Sequence, residues 1–175
     1  MKKPNPSELN RHGKVFERMV DDAFNPLDKQ YPITWERVID SAAAGNIVAA
    51  VEGDFRLKIK SENPGRPYHF VIECKASTQE SSFNRNFRSL IKKGQFPLMR
   101  MSVRAGAIGL FLFHAVDNDD VELWDFAQLK EPYYDKRKPF NGQPRYIIGR
   151  KNLPAFAEKV VTRPKAFVTD ILLYR

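Results

Sequence analysis

Of the chain's 21 acidic residues, only Glu73 is followed two positions later by a lysine, Lys75. Residues two apart in a strand project to the same face, so Glu73 and Lys75 can address one reaction centre while Cys74 points the other way. A second carboxylate, Asp54, follows Gly53 at the head of an alternating segment and comes alongside Glu73 if the two segments pair. Two hard oxygen donors make a plausible Mg2+ site. Phosphodiester hydrolysis needs an activated water, a counter-charge for the phosphorane and help for the leaving oxygen. Asp54 and Glu73 are the expected metal ligands, with the backbone carbonyl of Cys74 completing the shell. Lys75 is the expected catalytic group, positioning the attacking water or stabilising phosphate charge. The competing reading is a solvated charge pattern on an exposed strand, which a bare E-x-K deserves in most proteins. The Gly-Asp on a neighbouring strand, the preceding apolar run and the basic composition weigh against it.

The elements that must position these groups follow from periodicity. Phe55, Leu57 and Ile59 alternate with Arg56, Lys58 and Lys60, a strand with one basic, solvent-facing side. Residues 61–67 are dense in turn formers and Tyr68 to Cys74 is a second apolar strand, which predicts an antiparallel hairpin. Upstream, residues 7–24 carry Val15, Phe16, Met19, Val20 and Phe24 near helical spacing before Asn25-Pro26. Residues 31–39 have strand composition, and the alanine-rich 40–51 stretch has no clear assignment. Downstream, helical packing is expected from Phe87 through Arg104, with Pro97 in an early turn of a second helical segment. Ala107 to His114 is an apolar run suited to a strand covered on both faces, with Val121 to Trp124 beside it. Residues 146–148 and 167–174 have strand-like composition. The expected fold class is α/β: a central mixed β-sheet flanked by helices, as one domain over 7–175 behind a flexible 1–6 segment.

Lysine and arginine total 29, giving a net charge of +8 and favouring a polyanionic partner, with nucleic acid foremost. Arg85, Arg88, Lys92, Lys93, Arg100 and Arg104, downstream of the active-site strand, are the expected phosphate-binding residues, with Lys136-Arg137-Lys138 as a second patch. The single cysteine argues against a disulfide framework or a multi-cysteine zinc site, and His12 and His69 lack metal-ligand spacing. No secretory signal or spanning segment is read, so a cytoplasmic protein without membrane attachment is expected. His114, at the end of an apolar strand, is read as a packed histidine rather than a general base.

Gly13-Lys14-Val15-Phe16-Glu17, Gly53-Asp54-Phe55, Glu73-Cys74-Lys75 and Gly94-Gln95, in this order, resemble the RecU-type Holliday-junction resolvases of the PD-(D/E)xK nuclease superfamily. Ser81-Ser82-Phe83 through Asn86-Phe87 and Phe111-Leu112-Phe113-His114 extend the likeness, which covers about residues 13 to 130. The resemblance implies a restriction-endonuclease-like core. It also implies a homodimer that binds branched DNA, especially four-way junctions, and nicks two strands symmetrically with Mg2+, Mn2+ being able to substitute. In it, Glu17 and Gln95 support the metal and the water. The stretch before Asp54 departs from the family pattern, being short and alanine-rich where the family has a protruding stalk. Two other functions fit the same residues: a restriction- or repair-type duplex endonuclease, and a catalytically silent DNA-binding protein of the same fold.

Overall fold

The computed structural model describes residues 6–38, 53–61, 67–78, 83–91, 94–135, 140 and 142–172. Helix α1 (Pro6–Phe24) leads through a 3-10 turn into β1 (Ile33–Arg37), β2 (Phe55–Ile59) and β3 (Tyr68–Ser77). Helices α2 (Phe83–Leu90) and α3 (Gln95–Arg104) carry the chain to β4 (Ile108–Ala115) and β5 (Asp120–Asp125). Helix α4 (Phe126–Tyr134), β6 (Tyr146–Gly149), α5 (Leu153–Thr162) and α6 (Pro164–Leu172) complete it.

The six strands form one mixed sheet in the order β1-β2-β3-β4-β5-β6. Every neighbouring pair is antiparallel except β3 and β4, which run parallel. A parallel pair needs a crossover long enough to return the chain to the same end of the sheet, and α2 with α3 supplies it.

Strand alternation divides the core in two. Phe55, Leu57, Phe70, Ile72, Cys74, Leu110, Leu112 and Leu123 pack with Phe16 and Val20 of α1 and with Val160 and Phe167 of the C-terminal helices. Val71, Phe111, Phe113 and Trp124 face the other way and pack with Phe87, Phe96, Met99 and Leu129 of α2, α3 and α4. Covered on both faces, β4 is buried from Gly109 through His114, which explains its nearly continuous apolar sequence.

Helices and sheet agree with the expected α/β class. The hairpin of β2 and β3 forms with Phe55 opposite Ile72. The N-terminal helix opens at Pro6, one residue inside the segment expected to be flexible, and residues 1–5 lie outside the described residues. So do 39–52, which include the whole alanine-rich stretch.

One expectation fails: residues 167–174 do not start a strand, because Phe167 sits inside α6. Pro164, with its fixed φ, starts that helix, and Phe167 is buried against Phe70, Tyr146 and Phe156. Here tertiary packing overrides the strand preference of a Phe-Val-Thr run. Helix α4, which composition left unassigned, has a local cause. Asp125 accepts the backbone N–H of Gln128 while the Gln128 side chain accepts that of Asp125, a reciprocal cap at the helix start.

Candidate functional site

The two carboxylates meet where the β2–β3 ladder ends. That ladder ends with Phe55 opposite Ile72, so Asp54, in the bend just before β2, stands beside the strand that carries Glu73 and close enough for its charge to act on the Glu73 carboxyl. The Asp54 amide donates to the Ile72 carbonyl at 2.8 Å, so Asp54 and Phe55 both stand at Ile72 and the ladder's register is broken there. Glu73 and Lys75 share the parity of Val71 and lie on the α2–α4 face of the sheet, and Asp54 reaches them from the bend before β2. Gly53 makes the close entry possible. A Cβ there would stand 2.9 Å from both the Ile72 carbonyl oxygen and Val71 Cγ1, closer than packed atoms tolerate.

Hydrogen bonds fix each group. The Asp54 carboxylate accepts the backbone N–H of Cys74 at 2.7 Å. Lys75 Nζ donates to Glu73 Oε1, and Gln95 Nε2 donates to the same oxygen at 2.6 Å. Gln95 is the first residue of α3, and Gly94 before it has φ of +106°, a conformation that favours glycine. The other oxygen of Glu73, Oε2, is buried and accepts no hydrogen bond. Buried polar atoms are nearly always paired, so this exception asks for a chemical explanation.

Burial strongly disfavours the charged form of Glu73, and the neighbouring Asp54 adds like-charge repulsion. Against the pull of Lys75 and Gln95, the Glu73 carboxyl is pushed up to about 7. Burial works in the opposite sense on Lys75, but the Glu73 and Asp54 carboxylates outweigh it and hold the ammonium in its charged form. A fixed cation therefore stands beside a carboxyl that titrates near neutrality.

Helix α1 contributes Glu17, whose carboxyl is raised first by burial and then by the charge of Asp54, with Arg37 and Lys75 opposing. That places Glu17 within electrostatic reach of both sheet residues. Its Oε2 is held by Arg37 at 2.8 Å. Arg37, the last residue of β1, is a site component that sequence reasoning missed. The available signal was the only cationic residue in the 31–39 strand segment, at the end nearest the Gly53-Asp54 step in the sheet.

Cys74 behaves as the alternation predicts: its side chain is buried in the core opposite the site, and burial raises its thiol well above the ordinary range. His114 also lies away from the cluster. It stacks on Phe16 at 5.1 Å, and Nε2 stands 3.5 Å from Asp119.

Of the residues expected to bind phosphate, Arg88, Arg100 and Arg104 have described side chains. Arg88 is committed to α4, its guanidinium donating to the Pro132 carbonyl at 2.9 Å through Nε and to the Asp135 carbonyl at 3.3 Å. Arg100 lies over the Tyr134 ring, 5.4 Å from its centroid. Arg104 is exposed in the last turn of α3. The Arg85 side chain, Lys92, Lys93 and Lys136-Arg137-Lys138 lie outside the described residues.

Among the described residues, no group of three or more His, Cys, Asp or Glu side chains forms a ready-made metal cage. The donor set instead suits Mg2+, which keeps several waters and takes only one or two protein carboxylates. Asp54 and Glu73 lie side by side at the end of the β2–β3 ladder, and among the described residues the buried Oε2 is a hard donor without a hydrogen-bond partner. No family model matches the chain, and no curated protein matches it by sequence.

Proposed function

We propose that this chain is a metal-dependent endodeoxyribonuclease of the PD-(D/E)xK kind, acting as a homodimer that resolves four-way DNA junctions by paired symmetric nicks. The observation that carries the proposal is the convergence of three groups: the Asp54 carboxylate on the Cys74 amide, between Glu73 and Lys75, and the Lys75 ammonium on Glu73. The α1-β1-β2-β3-helix-β4 order around that cluster supports the superfamily reading.

Asp54 and Glu73 hold the ion, with the Cys74 carbonyl as a further donor. A bound Mg2+ (or Mn2+) supplies Lewis acidity at the phosphate and lowers the pKa of a water. Lys75 keeps its charge and faces the developing negative charge on phosphorus. Gln95 orients Glu73 through its amide and holds one carboxylate oxygen while the other stays open. Glu17 adds a carboxylate that Arg37 restrains.

One observation favours a second reading. Lys75, Glu73 and Gln95 already bond to one another, as they would in a polar tie joining β3 to α3 in a silent DNA-binding protein. A labelled four-way junction and a matched linear duplex, incubated with and without Mg2+, separate the readings. Paired nicks on the junction alone, lost in Asp54→Asn and Lys75→Ala, are the expected result. Equal cutting of linear duplex would assign a restriction- or repair-type nuclease, and binding without cutting would assign the silent protein.

A further inference from the structure

A cavity of about 800 Å3 opens where β2 ends and α5 gives way to α6, at the other end of β2 from Asp54. Ile59 and Tyr68, partners in the β2–β3 ladder, line it and have the parity of Phe55 and Phe70. The cavity therefore lies on the α1 side of the sheet, across it from Glu73 and Lys75. Tyr68 and Glu73 are also five residues apart on β3, about 17 Å at about 3.3 Å per residue. The candidate active site and this cavity are separate places.

The lining has two characters. Ile59 and Val161 are buried and make an apolar part with Pro32 and Pro164, beside the half-buried rings of Tyr31 and Tyr68. The Tyr31 hydroxyl is tied back to Glu158 at 3.1 Å. Lys60, Arg163 and Lys165 are exposed, and among the described residues none of the three has a carboxylate partner. The acidic residue of the described lining, Asp170, already accepts the Tyr146 hydroxyl at 3.2 Å. Three positive charges thus face one negative charge in a space with an apolar, aromatic wall.

We propose that this cavity binds a nucleotide, its phosphate at Arg163 and Lys165 and its base against the tyrosines. Cations without carboxylate partners select an anion, and a guanidinium beside an ammonium suits phosphate. Inorganic phosphate alone would leave the apolar wall and both rings wet. A base covers them, since every base has a face that stacks on an aromatic side chain. The volume falls in the range of about 300–1,000 Å3 typical of pockets that enclose a small ligand. A free nucleotide and a nucleotide of single-stranded DNA offer the same chemistry, whereas a base stacked inside a duplex has no free face to offer. None of these residues belongs to the candidate active site, so the inference stands or falls apart from the nuclease reading.

The test is isothermal titration calorimetry of the full chain in EDTA at low salt. The probes are deoxyadenosine monophosphate, deoxyadenosine, inorganic phosphate and a 5′-phosphorylated single-stranded oligo-dA hexamer. The monophosphate is expected to bind at least about tenfold more tightly than the nucleoside or inorganic phosphate, because it alone engages both parts of the lining. Arg163→Gln with Lys165→Gln should weaken it by at least about tenfold, and Tyr68→Ala by at least about fivefold, with circular dichroism confirming that both variants are folded. A hexamer that binds more tightly than the monophosphate and is weakened by the same substitutions assigns the cavity to a DNA strand; otherwise the ligand is a free nucleotide. Affinity unchanged in either variant, inorganic phosphate matching the monophosphate, or a parent protein that binds neither nucleotide probe overturns the nucleotide site.

Discussion

Two buried carboxylates of the sheet, each engaged by a cation, are built differently. Asp125, at the end of β5, is fully satisfied: Oδ1 accepts the Gln128 amide at 2.9 Å and Oδ2 accepts Arg145 Nε at 2.8 Å. Glu73, in the middle of β3, has both its donors on one oxygen and leaves the other buried without a hydrogen-bond partner among the described residues. Asp125 joins a helix start to the segment before β6 and has no unused capacity. Glu73 keeps a donor atom open at a cost to the fold, which is the pattern of a group retained for chemistry rather than stability.

The sharpest way to break this contrast is activity. Asp54→Asn or Lys75→Ala should lower Mg2+-dependent cleavage by at least about 10²–10³-fold, the range for removing one transition-state-stabilising group. Asp125→Asn should leave cleavage by the folded protein within a few-fold of the parent. Stability should show the reverse. Asp125→Ala strands Arg145 and removes a helix cap, and urea unfolding should report a loss of about 3 kcal/mol.

Glu73→Gln should instead stabilise the protein at pH 8. With its folded-state carboxyl raised from 4.5 to about 7, the contribution of Glu73 is fully present below pH 4.5 and is lost as pH rises through about 7. At 1.36 kcal/mol per unit the ceiling is about 3 kcal/mol with the pull of Lys75 already included, and a gain of about 1–2 is expected because an amide nitrogen cannot accept hydrogen bonds as the carboxylate does. A destabilised Glu73→Gln at pH 8 would favour the polar tie over the active site.

Millimolar Mg2+ should raise the unfolding midpoint of the parent by a few degrees, corresponding to about 1–2 kcal/mol, and should not do so in Asp54→Asn. His114 supplies the smallest effect. Burial lowers its pKa, so its contribution is complete above the ordinary histidine range and is lost as pH falls through the depressed value. His114→Phe should flatten the acid side of the stability profile, as read by urea midpoints at pH 7.5 and 5.5.

The site was legible where the two-residue period of strands carried the information. That period alone assigned Glu73 and Lys75 to one face and Cys74 to the core. The placing of Asp54 beside Glu73 needed the hairpin register, which depends on turn geometry within residues 60–67, a stretch whose turn formers mark a loop without fixing its length. Arg37 was not legible because its role depends on the packing of α1 beside the end of β1, a contact between residues 20 apart that no local pattern encodes. Phe167 misled because strand propensity is read locally, while its aromatic contacts come from β3, β6 and α5.

The alternation at Glu73-Cys74-Lys75 also guards against misfolding. A one-residue slip of β3 against its neighbours would turn Cys74 toward the carboxylate of Asp54 and drive Glu73 and Lys75 into the apolar layer beneath α1. Burying two ionic groups among phenylalanines and leucines is far costlier than losing a few ladder bonds. The residues read as catalytic therefore also act as alignment marks, and a chain that pairs β3 out of step is rejected by the charges of Glu73 and Lys75.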